Sequence, residues 1–180
     1  FMKFSIILAV DEKNWIWKEN TLAWRLSADM KYFKNITSNT TDLWKMNAVI
    51  MWRKTWESIP SKYRPLPNRI NCILTRSITN NDIGSPIDDF TLYFNSLEHC
   101  LSELESKDNV EQIFIIGWAN LYNQVLDHSM LDKIYITKLV WDYNCDVFFD
   151  GVPSNFIPES YTDLEKENSI DYSFWVYKKN

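Results

Sequence analysis

Short apolar runs that alternate with segments of helical period constrain this chain more than any other feature. The run Phe4-Ser5-Ile6-Ile7-Leu8-Ala9-Val10 reads as a buried first strand. Ser27 to Thr37 follows, where Met30, Phe33 and Thr37 recur at helical spacing. Asn47 to Met51, Ile70 to Thr75, Gln112 to Gly117 and Lys133 to Val140 read as further strands, with β-rich pieces at Asp146 to Phe149 and Tyr172 to Tyr177. Arg53 to Ser58, Ser96 to Glu105 and Ala119 to Leu126 read as helices. Such alternation is the pattern of an α/β domain. The polar segment Thr79 to Asp89, with Gly84 and Pro86, predicts a surface loop, and Gly151 to Ser169 a closing hairpin or excursion. No repeat or flexible linker divides the 180 residues, so one domain over 1–180 is expected.

Several function classes drop out early. A hydrophobic share of 46%, a charged share of 24% and a net charge of -5 oppose a disordered or nucleic-acid-coating chain, and no nucleic-acid partner is expected. Phe4 to Val10 is too short for a membrane span, and Asp11-Glu12-Lys13 follows it without a small-residue cleavage site. Neither a membrane segment nor a secretory signal is expected. Cys72, Cys100 and Cys145 are odd in number and far apart, which points to a reducing, cytoplasmic compartment without disulfides. With His99 and His128 as the only histidines, no structural metal site and no histidine-based triad is expected. One imbalance stands out: there are 3 Gly against 9 Trp. Average usage, about 7% Gly, gives on the order of a dozen glycines in a chain of this size.

Three segments could carry chemistry. Asp29 lies in the first turn of the Ser27 helix, bordering its apolar face. An acid there either serves the helix dipole or points into a pocket, and spacing leaves both open. From Ala48 to Ile59 a strand runs straight into a short helix carrying Arg53, Lys54 and Thr55, a geometry that presents N–H groups and cations to a phosphate. Trp52 occupies the turn, where glycine allows the closest approach. Leu74-Thr75-Arg76 ends another strand with a further cation and hydroxyl, and Ile116-Gly117-Trp118-Ala119-Asn120-Leu121-Tyr122 is again strand, turn, helix.

Taken together, these segments resemble dihydrofolate reductases along nearly the whole chain. The similarity runs through Ile7 to Val10, Trp15 to Asn20, Leu22-Ala23-Trp24 and the helix bearing Asp29 and Phe33. It continues through Met51 to Ile59, Arg64 to Arg69, Ile116 to Ala119, Tyr122 and Ile134 to Thr137, in order and at matching spacing. The resemblance implies a single-domain fold with a central eight-stranded, mostly parallel sheet flanked by about four helices. It implies hydride transfer from NADPH to dihydrofolate, giving tetrahydrofolate, with antifolates as further ligands and a monomer expected.

By the same resemblance the catalytic positions are Asp29, Thr137, Leu22 and Trp24. Asp29 would pair with the amino-pyrimidine edge of the pterin, supported by Thr137, and water entering past the Leu22 loop would be the proton donor. Ile7, Leu8, Met30, Phe33, Ser58, Ile59 and Leu66 would line the pterin and aminobenzoyl pocket, and Arg69 would grip the glutamate α-carboxylate. Arg53, Arg76 and Thr75 would hold the 2′-phosphate of NADPH. Lys54, Thr55 and the turn of Gly117, Trp118, Ala119 and Asn120 would hold the pyrophosphate. Ala9, Ile16, Ile116 and Tyr122 would border the nicotinamide, with Trp17, Trp52, Leu74 and Leu121 also on the cofactor side.

Departures from the family pattern explain the composition. Trp15, Trp17, Trp44, Trp52, Trp118 and Trp141 stand where the family has glycine or another small turn residue, whereas Trp24 and Trp56 match family tryptophans. Ala23 replaces a usual proline, and Asn68 a frequent glycine whose left-handed backbone asparagine tolerates. Left-handed backbone at tryptophan costs roughly 1 to 2 kcal/mol per site, and overpacking typically adds about 1 to 3 kcal/mol. Random substitution does not place one residue type at six glycine positions. The expectation is a codon that means glycine in the cell of origin and is read here as tryptophan, since UGA takes either meaning in variant codes. The rival is a folded but inactive folate- or nucleotide-binding homologue with genuine tryptophans. A reductase of another pterin or pyrimidine is opposed by the set Asp29, Thr137 and Arg69.

Overall fold

The computed structural model describes residues 2–18, 21–22, 26–77, 86–88, 90–117, 119–144 and 147–180, with backbone alone for 17, 18, 21, 22, 86 and 87. The elements in chain order are β1 (Phe4–Val10), β2 (Trp15–Lys18), β3 (Thr21–Leu22), α1 (Ser27–Ser38), β4 (Met46–Trp52) and α2 (Arg53–Ser58). A short 3-10 turn, Ser61–Tyr63, precedes β5 (Arg69–Leu74), β6 (Pro86–Asp88), β7 (Thr91–Phe94), α3 (Leu97–Glu105) and β8 (Val110–Gly117). Then come α4 (Ala119–Val125), β9 (Leu131–Leu139), β10 (Val147–Phe148), β11 (Phe156–Tyr161), β12 (Glu165–Glu167) and β13 (Ile170–Lys179). The fold is α/β, with a large mixed sheet and four α-helices among the described residues. The chain forms two compact units, one of Phe1–Phe4 and Lys34–Trp118, the other of Ser5–Phe33 and Ala119–Asn180.

In the first unit the strands run in the order β8-β4-β5-β7-β6. The pairs β4–β8, β4–β5 and β5–β7 are parallel, and β6 lies antiparallel on β7. Ala48, Val49, Ile50 and Met51 are all buried, as a parallel strand covered on both faces requires. The α3 helix is capped by Ser96, whose side chain accepts from the His99 N–H, and it buries Cys100, Leu101 and Leu104. Asn47 replaces backbone partners where α1 ends: its amide donates to the Thr37 and Asn39 carbonyls and accepts from the Gln112 N–H.

The second unit is built on β13, which pairs antiparallel with β9, β11 and β12. The expected excursion over Gly151 to Ser169 thus contains two strands, and part of the expected 79–89 loop, Pro86–Asp88, is strand. Ala9, Leu26, Leu139 and Tyr172 form a core here, with Trp15, Ala28, Tyr143, Ile170 and Phe174 packed against it. A separate small sheet runs β10-β2-β3.

The strain expected at the anomalous tryptophans is absent from those that the structure describes. Positive φ falls at Asn14, Asn68, Asn144, Asn168, Ser169 and Gly151, and not at Trp15, Trp44, Trp52 or Trp141. Trp52 has ordinary extended backbone, φ -70 and ψ 153. Overpacking is avoided by exposure, since Trp44 is 91% and Trp141 64% exposed. Trp15 is half-buried in an edge-on contact with Phe148, ring centroids 5.5 Å apart. Trp118 and the Trp17 side chain lie outside the described residues.

Candidate functional site

The second unit carries the expected acid. Asp29 sits in the first turn of α1, and its Oδ1 accepts a 2.6 Å hydrogen bond from the Thr137 hydroxyl on β9. Thr137 itself is buried. Burial raises the Asp29 pKa above the ordinary carboxylate value, and the Thr137 hydrogen bond offsets only part of that rise. A carboxylate so placed is poorly hydrated and strongly attracts a donor pair that carries positive charge. Tyr32, three residues further along α1, is pushed up to about 12 by burial first and by Tyr135 and Asp29 second. Its ring stacks on Phe174 at 4.0 Å.

The same unit buries Ile7, Leu8, Ala9, Ile16, Ala119, Leu121 and Tyr122. The Tyr122 hydroxyl donates to the Ile7 carbonyl at 2.9 Å, and burial drives its pKa upward. Phe33 is half-buried. Met30, expected on the apolar face of α1, is 69% exposed, whereas Thr37 of the same helix is buried. Trp24 lies outside the described residues, as does the Leu22 side chain.

The first unit carries two cationic groups of residues. Arg69, at the start of β5, is only 3% exposed. Its Nε donates to the Pro67 carbonyl at 3.0 Å and its Nη1 to the Thr37 hydroxyl at 2.9 Å. Desolvation lowers its pKa to about 10, a cost that an incoming carboxylate would relieve. Asn68, with φ 58, turns the chain into β5, and Leu66 is tied through both its N–H and its carbonyl to the Asn71 side chain. Ile59 is half-buried; Ser58 is exposed, its hydroxyl donating to the Thr55 carbonyl at 2.6 Å.

The second group gathers where strands β4, β5 and β8 end. Arg53 Nη1 donates to the Ser77 hydroxyl at 2.8 Å, and that hydroxyl lies 3.0 Å from the Thr75 hydroxyl. Arg53 also pairs with Glu57 at 3.4 Å on the exposed surface. The Arg76 guanidinium lies 6.0 Å from the Trp52 ring centroid. Ser77 joins this group through Arg53, 24 positions away in the chain, a pairing that sequence spacing does not show. Leu74 is buried in the core, Ile116 half-buried, and Lys54 and Asn120 exposed.

Thr55 and Gly117 form a close-packed pair in this group. Thr55 is 7% exposed, and its hydroxyl has no hydrogen-bond partner among the described residues. A Cβ on Gly117 would come within 2.8 Å of the Thr55 Oγ1 and Cγ2 atoms. Only a residue without a side chain fits there. An orphaned buried hydroxyl, a bare backbone and nearby arginines suit a phosphate-bearing ligand.

The chain is similar to known enzymes along nearly its whole length. The dihydrofolate reductase family profile matches residues 3–179. A dihydrofolate reductase from Pneumocystis carinii is 38% identical over 97% of this chain and 86% of its own length. Those of Heliothis virescens and Drosophila melanogaster are each 33% identical over 99% of this chain, spanning 98% and 99% of their own lengths. With the Asp29–Thr137 pair, the buried Arg69 and the Thr55–Gly117 contact falling on the matched segments, the chain belongs to the dihydrofolate reductase family.

Proposed function

We infer that the described residues carry the family reaction, the reduction of 7,8-dihydrofolate to 5,6,7,8-tetrahydrofolate by NADPH, in a definite division of labour. NADPH supplies the hydride when bound. Asp29 receives the amino-pyrimidine edge of the pterin on its carboxylate, and Thr137 fixes the rotation of that carboxylate through the hydrogen bond to Oδ1. Holding the ring there favours its protonated form, with water as the immediate proton donor, since no histidine falls in the matched segments. Ile7, Leu8, Phe33, Ile59 and Leu66 offer apolar surface to the pterin and aminobenzoyl groups. Arg69, desolvated and held by Thr37 and Pro67, takes the glutamate α-carboxylate.

On the cofactor side, Arg53, Thr75, Arg76 and Ser77 take the 2′-phosphate, which selects NADPH over NADH. Lys54, the Thr55 hydroxyl and the backbone from Gly117 take the pyrophosphate, answering the unpartnered buried oxygen at Thr55. Tyr122 borders the nicotinamide side. A monomer in a reducing, cytoplasmic setting suits Cys72 and Cys100, which are both free and buried. No helix among the described residues is long and apolar enough to cross a membrane.

The observation that carries this reading is the half-buried Asp29 carboxylate bonded to Thr137. Asp29→Asn keeps the shape and removes the charge. It should lower kcat with dihydrofolate by about 100-fold or more near neutral pH, while NADPH binding, followed by fluorescence titration, stays unchanged. Wild-type turnover in the variant would remove Asp29 from the reaction.

A further inference from the structure

We infer that Glu167 is a positioning residue for the reaction: reaching from the β12–β13 hairpin, its carboxylate fixes the first turn of α1 and thereby the place of Asp29. This rests on the role given to Asp29 above. The first N–H groups of a helix have no partner within it and need an acceptor from elsewhere. Leu26, immediately before α1, is apolar and offers no side-chain acceptor. The acceptor comes instead from far along the chain. Glu167 Oε2 accepts from the Ser27 N–H at 2.7 Å, and Oε1 accepts from the Ser27 hydroxyl at 2.8 Å and the Ala28 N–H at 3.1 Å. Asp29 is the next residue, so its backbone is held through Ala28 and its carboxylate through Thr137.

The hairpin is built to deliver that carboxylate. Glu167 pairs with Ile170, leaving a two-residue turn in which Asn168 and Ser169 have φ 49 and 64. Two successive left-handed residues match the twist of the strands, although serine adopts that backbone rarely. The Tyr172 hydroxyl donates to Glu165 at 3.1 Å, and Lys166 pairs with Asp171 at 3.3 Å, bracing the two arms. The same strand then runs on to place Phe174 opposite Thr137 in the β13–β9 register, and the Phe174 ring stacks on Tyr32 of α1. Strand β13 thus pairs with both strands that restrain Asp29, β12 through Glu167 and β9 through Thr137. The three hydrogen bonds also keep Glu167 below the usual carboxylate range, so it is ionised at neutral pH.

A purely structural cap would change stability and leave the chemistry of the folded enzyme alone. The test therefore separates kinetics from melting. Glu167→Ala, Glu167→Asp and Glu167→Gln, made in the form with glycine at 15, 17, 44, 52, 118 and 141, are assayed for kcat and for KM of dihydrofolate and of NADPH, with thermal unfolding measured beside them and Asp29→Asn as control. Glu167→Ala and the shorter Glu167→Asp should raise KM for dihydrofolate about tenfold and lower kcat, because a small misplacement of a binding group is costly. KM for NADPH should not move, and Glu167→Gln, which keeps the length and an acceptor oxygen, should restore most of the loss. An unchanged KM for dihydrofolate in the folded Ala variant, or in the Asp variant should Ala not fold, overturns the inference. If Asp29→Asn is inactive while these variants behave as wild type, the Glu167 inference alone fails; if Asp29→Asn is fully active, the underlying reading fails instead.

Discussion

At the scale of single residues, Asp29 shows how an environment assigns a role that the sequence leaves open. Its spacing fits both a helix-dipole acid and a pocket acid. The structure gives the dipole work to Glu167, which takes the Ser27 and Ala28 N–H groups, and turns Asp29 to Thr137. Ser77 and Glu167 were not legible because their partners lie across the fold, Arg53 for one and Ser27 for the other. Burial raises the Asp29 pKa, so the folded chain binds that proton more tightly than the unfolded chain. Stability from this group therefore falls as pH rises from the ordinary carboxylate value through the raised folded one. Asp29→Asn is neutral at every pH and its amide oxygen can still accept from Thr137. Thermal unfolding across pH should show this variant more stable than wild type near neutrality, with the advantage vanishing in acid. A variant less stable than wild type at neutral pH contradicts burial as the larger influence.

At the scale of elements, the regular pieces were readable where one pattern dominated. The first strand over Phe4–Val10 and the short helix over Arg53–Ser58 stand where periodicity places them. The strand Thr91–Phe94 was missed because four residues opening on threonine are too few to show alternation. Phe156–Tyr161 was missed because Pro158 argues against a strand; it is an edge strand, mostly exposed, where proline is tolerated. Neither Trp15–Lys18 nor Thr21–Leu22 has a hydrophobic rhythm that distinguishes strand from turn. The end of β8 illustrates how an element serves the site. At Gly117 backbone meets the Thr55 side chain so closely that an added methyl has nowhere to go. Gly117→Ala should cost about 1 to 3 kcal/mol in denaturant unfolding and weaken NADPH binding through Thr55. Unchanged stability together with unchanged NADPH affinity would show that the contact is slack.

At the scale of the whole molecule, the imbalance of 3 Gly against 9 Trp is where sequence and structure pull apart. Family pattern placed six tryptophans at turn positions and predicted strained backbone there. Trp15, Trp44, Trp52 and Trp141 have no left-handed backbone, so that strain is absent there. What remains is a different observation: Trp44 and Trp141 hold their rings largely in water, where burial gains them nothing, so the fold has no need of tryptophan at either position. Glycine at these positions is therefore an expectation from the family pattern, not a demand of the backbone. The fold class was legible because it follows from alternation along the entire chain; the identity of the turn residues was not, because exposed turns accept many side chains. The central proposal is reduction of dihydrofolate through Asp29, carried out by the form with glycine at the six turn positions. The direct measurement is dihydrofolate-dependent oxidation of NADPH, made on the chain with tryptophan and on a form with glycine at 15, 17, 44, 52, 118 and 141. The glycine form should turn over, be blocked by a methotrexate-like antifolate and lose activity with Asp29→Asn, with the tryptophan form inactive or nearly so. Turnover by the tryptophan form, turnover absent from both folded forms, or turnover surviving Asp29→Asn undiminished is the contradicting result.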